Sequence, residues 1–342
     1  MALLVNYLRS VEALRVEAGH HLSRDAQISL FDRADWFQML DRHFPAGEAL
    51  RIAHVSDGKG AHCWLPLMID KGKGAAWACW YSLKFQPIWA GTEDTGHRVT
   101  LLAAIARDLK RHCGTLSLYP VPTERGIADL IGTAFRLSGW IIDRADSAAN
   151  WVADTKGLGF DAYWSARPSR LRNTVQRRAK QAMLDIHIHH KFQHDIWHYY
   201  EMIYAKSWKP TEGAPGFVRD MARAAGRDGS LRLGIAYHQQ EAVACQLWTV
   251  DHQIAIIHKL SYAHHARAYS PGTLLSQAMF RHVLDQDQPH RIDFGTGDDA
   301  YKADWMDRKL PLARMTMAHP LRISGVLALA ETALRRVARR VR

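Results

Sequence analysis

The sequence is poor in cysteine: Cys63, Cys79, Cys113 and Cys245 are scattered along 342 residues with no CxxC spacing. That excludes a disulfide framework or a cysteine-built structural zinc site and predicts reduced thiols in a cytoplasmic protein. No run of about 18 uncharged apolar residues occurs, so no membrane-spanning helix is expected. The N-terminal stretch is interrupted by Arg9, Glu12 and Arg15 and lacks the apolar core of a signal peptide. There is no GxSxG elbow and no HExxH pair, and cysteines in contexts such as Ala244-Cys245-Gln246 read as packing residues, so no covalent nucleophile stands out. Acid is scarce relative to base: 34 Asp and Glu against 45 Lys and Arg give a net charge of +11. Such a balance favours an anionic partner, whether a phosphorylated cofactor, nucleic acid or an acidic membrane surface.

What is present is a globular composition, 47% hydrophobic and 23% charged, over a length that suits one large or two fused domains. A helix is predicted from about Asp32 to His43, followed by strands at Leu50–Val55, Ala61–Ile69 and Ala75–Tyr81 with turns at SDGKG and DKGKG. A helix over His97–His112 and a short strand at Thr115–Tyr119 complete the unit. The order then returns: helices at Ile196–Trp208 and Phe217–Gly226, strands at Leu231–Tyr237, Ala242–Val250 and Gln253–Tyr262, a helix from Pro271 to Leu284, and a strand at Arg291–Phe294. Aligning Leu50 with Arg232 and Leu116 with Arg291 gives similar offsets, which suggests a duplication joined through residues 145–165. The aromatic stretch Trp77, Trp80, Tyr81, Phe85 and Trp89 either packs the first core or lines a pocket.

Chemistry concentrates at Arg291–Trp305, RIDFGTGDDAYKADW. A strand breaks at Gly295 and Gly297 and restarts with Asp298, Asp299, Tyr301 and Lys302 at helical spacing. The GTGDDA run is not a dinucleotide fingerprint: too little chain follows it, and its acids would repel phosphate. Upstream, Ser270-Pro271-Gly272-Thr273 reads as a helix start whose free N–H groups and small glycine suit an anion. Arg167, Arg170, Arg172, Arg177, Arg178 and Lys180 make a cationic helix with Leu171, Val175 and Ala179 on its apolar face. His187 and His189 share a strand face but have no acidic partner at ligand spacing, so no metal is expected. The tail over 321–342, with Ile323, Val326, Leu327, Ala330, Leu334 and Val337 on one stripe and arginines at its end, reads as a basic amphipathic helix.

The runs DFGTGDDAYKADW, HKLSYAHHARAYSPGTLL (His258–Leu275) and SRLRNTVQRRAKQA (Ser169–Ala182) resemble the conserved part of FemAB-like, or CelD-like, acyltransferases of the GNAT superfamily. The resemblance covers roughly residues 150–312. It implies an α/β fold of two tandem GNAT-like lobes, each a mixed, mainly antiparallel sheet flanked by helices: 1–150, 151–318, and then the basic helix over 319–342. It also implies acyl-CoA as donor, with Ser270, Gly272, Thr273 and Leu274 at the pyrophosphate and Arg267, Arg177 and Arg178 beside it. Amine acylation needs a proton acceptor and polar donors at the developing oxyanion. Asp293 is the first candidate to orient or deprotonate the acceptor amine, and Tyr301 and Lys302 are candidates to bind it or stabilise the intermediate. Lys259 and Tyr262, three apart on one strand, face opposite ways, so one of them lines the cleft. The expected reaction is direct transfer of an acyl group to a primary amine. The alternatives are an aminoacyl-tRNA-dependent peptidyltransferase, the one case that requires nucleic acid, and a non-catalytic scaffold in polysaccharide or lipid assembly, held peripherally at the inner membrane face through 321–342.

Overall fold

The computed structural model describes residues 3–322 together with Gly325 and Val326. The chain divides into two compact units, one of residues 1–148 and 310–342 and the other of residues 149–309. The basic helix expected over 319–342 falls almost wholly outside the described residues. Among those described, no helix is long and apolar enough to cross a membrane.

The first unit runs β1 (Val5–Leu8), α1 (Val11–Ala18), α2 (Ala34–His43), β2 (Leu50–Ser56), β3 (His62–Asp70), β4 (Lys73–Ala76), β5 (Ile88–Ala90), α3 (Thr95–Leu109), β6 (Thr115–Pro122) and α4 (Ile127–Leu137). Helix α1 buries Val11, Leu14 and Ala18, one stripe at helical spacing, and leaves Val16 on the opposite side, 85% exposed. Trp77, Tyr81, Phe85 and Trp89 are buried and Trp80 is exposed, so this aromatic stretch is mainly core. The strand expected at Ala75–Tyr81 ends at Ala76 because Trp77 leaves the sheet to stack on Phe37 of α2.

The second unit contains the end of β7 (Ile141–Asp154), then α5 (Phe160–Ser165), α6 (Ser169–Ala182), β8 (Asp185–His189), α7 (His194–Ala205), α8 (Pro215–Asp228), β9 (Leu231–His238), β10 (Glu241–Asp251), β11 (Ile254–Tyr262), α9 (Pro271–His282) and β12 (Arg291–Thr296). The segment read as a joining region thus holds a strand and a helix. After Ile141 and Ile142, residues 143–147 of β7 are largely exposed and polar, without apolar alternation; Asn150–Asp154 is specified by pairing with β12.

The two units repeat one topology. In the first, β1, β2, β3 and β4 are successively antiparallel, β4 pairs β6 in parallel, and β13 (Arg308–Ala318) closes antiparallel on β6. In the second, β8, β9, β10 and β11 are antiparallel, β11 pairs β12 in parallel, and β7 closes antiparallel on β12. This is a tandem GNAT-like α/β fold, and the Leu50/Arg232 and Leu116/Arg291 alignment falls on corresponding strands. The sixth strand of each sheet comes from the chain that follows the other unit's fifth strand. Residues 310–318, expected in the second lobe, therefore belong to the first, where Leu312, Ala313, Met315 and Met317 are buried.

Candidate active site

Strand β11 carries the geometry that matters most. Its parallel ladder with β12 holds Ile254, Ala255 and Ile256 against Arg291, Ile292 and Asp293 and then stops, while β11 continues to Tyr262. On its other side β11 pairs β10, where Leu247 faces Lys259 but Trp248 faces Ile257, so His258 is an extra residue in a bulge. The bulge redirects side chains. On β10, Gln246 bonds Gly272 and Ser276 of α9, and Trp248 meets Phe280 of α9, so Thr249 lies on the opposite face. His258 Nε2 is 2.8 Å from Thr249 Oγ1, and the Lys259 ammonium sits over the ring of Tyr204 in α7. Adjacent residues of a regular strand would point to opposite faces; here His258 and Lys259 share the face opposite α9. Burial, and then the Lys259 charge, push His258 down to about 3, which keeps the imidazole neutral. Tyr262 faces α9, as the spacing to Lys259 predicts.

At the end of β11 a turn at His264–Tyr269 delivers the chain to α9. Ser270 is in the left-handed region (φ 53°), no side chain caps the helix, and Pro271 opens it. The first N–H groups of α9 are therefore not taken by a side-chain oxygen. Gly272 is buried under the Tyr262 ring, and a Cβ there would stand 3.0 Å from Tyr262 Cδ1, so the glycine lets β11 and α9 pack closely. Helix α6 packs on α9 and on the 264–269 turn. On α6, Arg178 Nη1 reaches Gln181 and its Nε is buried without a hydrogen bond. Arg177 and Arg267 are exposed.

The start of the basic run has a different role. Arg167 donates to the Trp305 carbonyl and Asp307, and Arg170 pairs with Asp304 at 2.5 Å. Two of the six cations of the run thus hold the end of the 291–305 stretch and Asp307 just beyond it. Arg177 and Lys180 remain on the exposed surface.

In β12, Ile292 and Phe294 enter the core against α9, so Asp293 lies on the same face as His258 and Lys259. Its carboxylate accepts the Gly295 N–H at 2.7 Å, and Asn150 Nδ2 is 3.4 Å from its other oxygen. Asn150 in turn accepts from Thr296 Oγ1 at 3.0 Å. Lys302, expected to face the acceptor, is instead 5% exposed. Its ammonium donates to the carbonyls of Thr296 (2.9 Å) and Phe294 (3.3 Å), and Asp299 is 3.9 Å away. Buried and supplied with acceptors, Lys302 pins the glycine loop. Gly297, at φ 121°, sits where a Cβ would be 3.3 Å from the Lys302 ammonium. Tyr301 is half exposed with its ring edge on Phe294, and burial, then Asp299, raise its phenol to about 12.

A third segment, between α7 and α8, was not singled out in the sequence. Lys259 pairs with Glu212 at 2.5 Å, and Trp208 packs on Tyr262 with ring centroids 4.2 Å apart. Lys209 lies beside them, its ammonium 5.9 Å from the Trp208 ring. Burial, and then Lys259, lower it to about 8, with Cys245, Glu212 and Asp299 acting the other way. The signal in the sequence is slight: Trp208-Lys209-Pro210-Thr211-Glu212 is a loop of mixed charge after α7, and nothing local ties it to β11.

The counterpart in the first unit is closed. There the helix after the fourth strand is α3, and Asp94 accepts the His97 N–H at 2.6 Å, placing a carboxylate where an anion would bind. Strand β4 also ends just after its three parallel pairs with β6, leaving no free strand edge like that of β11. Burial raises the thiols of Cys63, Cys113 and Cys245, which marks them as packing groups. Among the described residues no group of three His, Cys, Asp or Glu is arranged to hold a metal, and His187 is paired with Asp185.

A family model for the acetyltransferase (GNAT) domain matches residues 169–303, which include α6 through the glycine loop. Among solved structures the chain is similar to FemX, with 9% identity over 92% of this chain and 97% of that one, at a TM-score of 0.61. It is similar to the C-terminal DUF2156 domain of an Agrobacterium fabrum protein assigned as a lysylphosphatidylglycerol synthetase, at 15% identity, 95% and 97% coverage and a TM-score of 0.58. It is also similar to a tandem GNAT protein of the clavulanic acid biosynthesis pathway, at 14% identity, 94% and 100% coverage and a TM-score of 0.52. No protein of curated function matches the sequence. At these identities the structural likeness establishes the fold, which is the tandem GNAT-like one derived above.

Proposed function

We propose that the chain is an N-acyltransferase with one donor site, in its second unit, transferring an acyl group from acyl-CoA to a primary amine. The observation that carries this reading is the opening of β11 from β12 beside an uncapped α9. The helix start at Ser270, Gly272, Thr273 and Leu274 suits the pyrophosphate through the Gly272 N–H and the Ser270 and Thr273 hydroxyls, while the N–H groups of Ser270, Thr273 and Leu274 already donate to the Arg267 and Ser270 carbonyls. Arg267, Arg177 and Arg178 supply positive charge nearby, and the buried, unpartnered Arg178 Nε fits an anionic occupant. The acyl thioester then runs along the unpaired edge of β11. The acceptor nitrogen attacks the thioester carbonyl carbon, the C–S bond breaks, and the nitrogen's proton passes through Asp293 to the departing thiolate. Lys302 acts as a positioning residue by fixing the loop that presents Asp293.

Calorimetric and thermal-shift titration with CoA, acetyl-CoA and a long-chain acyl-CoA tests the donor. Stabilisation that grows with ligand concentration supports the reading. A folded protein that responds to none of them rejects it.

A second reading, aminoacyl-tRNA as donor, is favoured by the exposed Arg177 and Lys180 on α6, a helix that borders the same turn and attracts phosphate backbones equally. Activity abolished by ribonuclease and unaffected by CoA analogues would select it.

A further inference from the structure

Lys209 is the odd cation of the second unit. The neighbouring lysine, Lys259, has Glu212 at 2.5 Å. Among the described residues no carboxylate hydrogen-bonds or ion-pairs with Lys209, whose ammonium lies 5.9 Å from the Trp208 ring. Its neighbour Trp208 packs on Tyr262 at the end of β11, ring centroids 4.2 Å apart, and the Lys259–Glu212 pair lies on the same strand. Withdrawing an ammonium from water without a counter-ion is unfavourable, and an arriving anion removes that penalty.

Building on the acyltransferase reading, we propose that Lys209, with Trp208 as its wall, is a carboxylate subsite and that the acyl acceptor is an amine carrying a single carboxylate. One free cation matches one negative charge. A phosphate dianion would require a second, and Lys259 is already neutralised by Glu212 while Asp299 adds negative charge nearby. The aromatic wall of Trp208 and Tyr262 suits an acceptor with an apolar body between its charged ends. Binding also has a proton signature. Burial lowers Lys209 to about 8, so near that pH a carboxylate that favours the ammonium draws protons in as it binds.

The probes are glycine, L-phenylalanine and phenylacetate, each against its amide. Thermal shift and calorimetry follow them at pH 8 in two buffers of different ionisation enthalpy. The carboxylates should bind wild type about tenfold more tightly than the amides, with proton uptake. Lys209→Met should erase the discrimination. Lys209→Arg, which is always charged, should keep the discrimination and take up no proton. Equal response to acid and amide in wild type, or discrimination that survives Lys209→Met, overturns the subsite whatever CoA does. Intact carboxylate discrimination in a protein that ignores CoA overturns the donor assignment alone.

Discussion

Asp293 on β12 and Lys302 beyond the glycine loop lie nine residues apart and differ in what surrounds them. Asp293 is half-buried on the face that also carries His258 and Lys259, whereas Lys302 is enclosed by the carbonyls it binds. Asp293→Asn should lower turnover by about a hundredfold or more with little change in melting temperature, since the amide keeps an acceptor for Gly295 and loses the basicity. Full turnover with an unchanged pH profile would exclude Asp293 as the base. Lys302→Met should cost about 2–3 kcal/mol of stability, because two loop carbonyls lose a buried donor. Urea denaturation reads that cost directly. In the first unit, His54 is buried between Glu17 and His62, at 3.2 and 3.1 Å. Burial, opposed by Glu17, pushes it down to about 4. A base with a lowered native pKa binds fewer protons folded than unfolded between the two values, so stability is present above about pH 6.5 and lost as pH falls toward 4. The loss from His54 is about 3 kcal/mol at most, and His54→Gln should flatten that limb of the urea midpoint against pH. An unchanged slope would place the acid sensitivity elsewhere.

At the scale of elements, the junction of β11 and α9 sets conformation against ligand binding. Ser270 holds a left-handed backbone that glycine adopts more readily. Ser270→Gly should therefore raise the melting temperature while weakening CoA binding through loss of the hydroxyl. If stability and affinity rise together, Ser270 does not touch the donor. These elements were largely legible beforehand, because apolar spacing and turn residues mark β9, β10, β11, α9 and β12 locally. The bulge at His258 was not. Nothing in Ile257-His258-Lys259 announces that two consecutive side chains will share a face; that follows from the register against β10.

At the scale of the whole chain, repeated topology does not imply repeated function. Asp94 caps α3 from within, whereas α9 has no such cap, so donor titration should give one site per chain. Asp94→Ala should cost about 1 kcal/mol of helix capping without creating a second site. A stoichiometry of two would contradict the assignment. Ending the chain after Asp307 removes β13, and hydrogen exchange should then show lost protection in β6 of the first unit, with β9–β11 largely preserved. Loss of protection confined to the second unit would contradict the exchange of sixth strands.

By itself the sequence determined the tandem α/β order, the core helices and strands, the anion-suited start of α9 and the chemical richness of residues 291–302. Each of these is written in local spacing, turn chemistry or composition. Only the tertiary structure decided that Lys302 pins its loop, that Arg167 and Arg170 are spent on Asp307 and Asp304, and that residues 310–318 complete the first unit's sheet. It also brought Lys209 and Glu212 to Lys259. Three of these join residues far apart along the chain, and such pairings follow from strand register and burial, which no local pattern encodes; the Lys302 contacts span only six and eight residues but depend on a loop conformation that spacing does not specify.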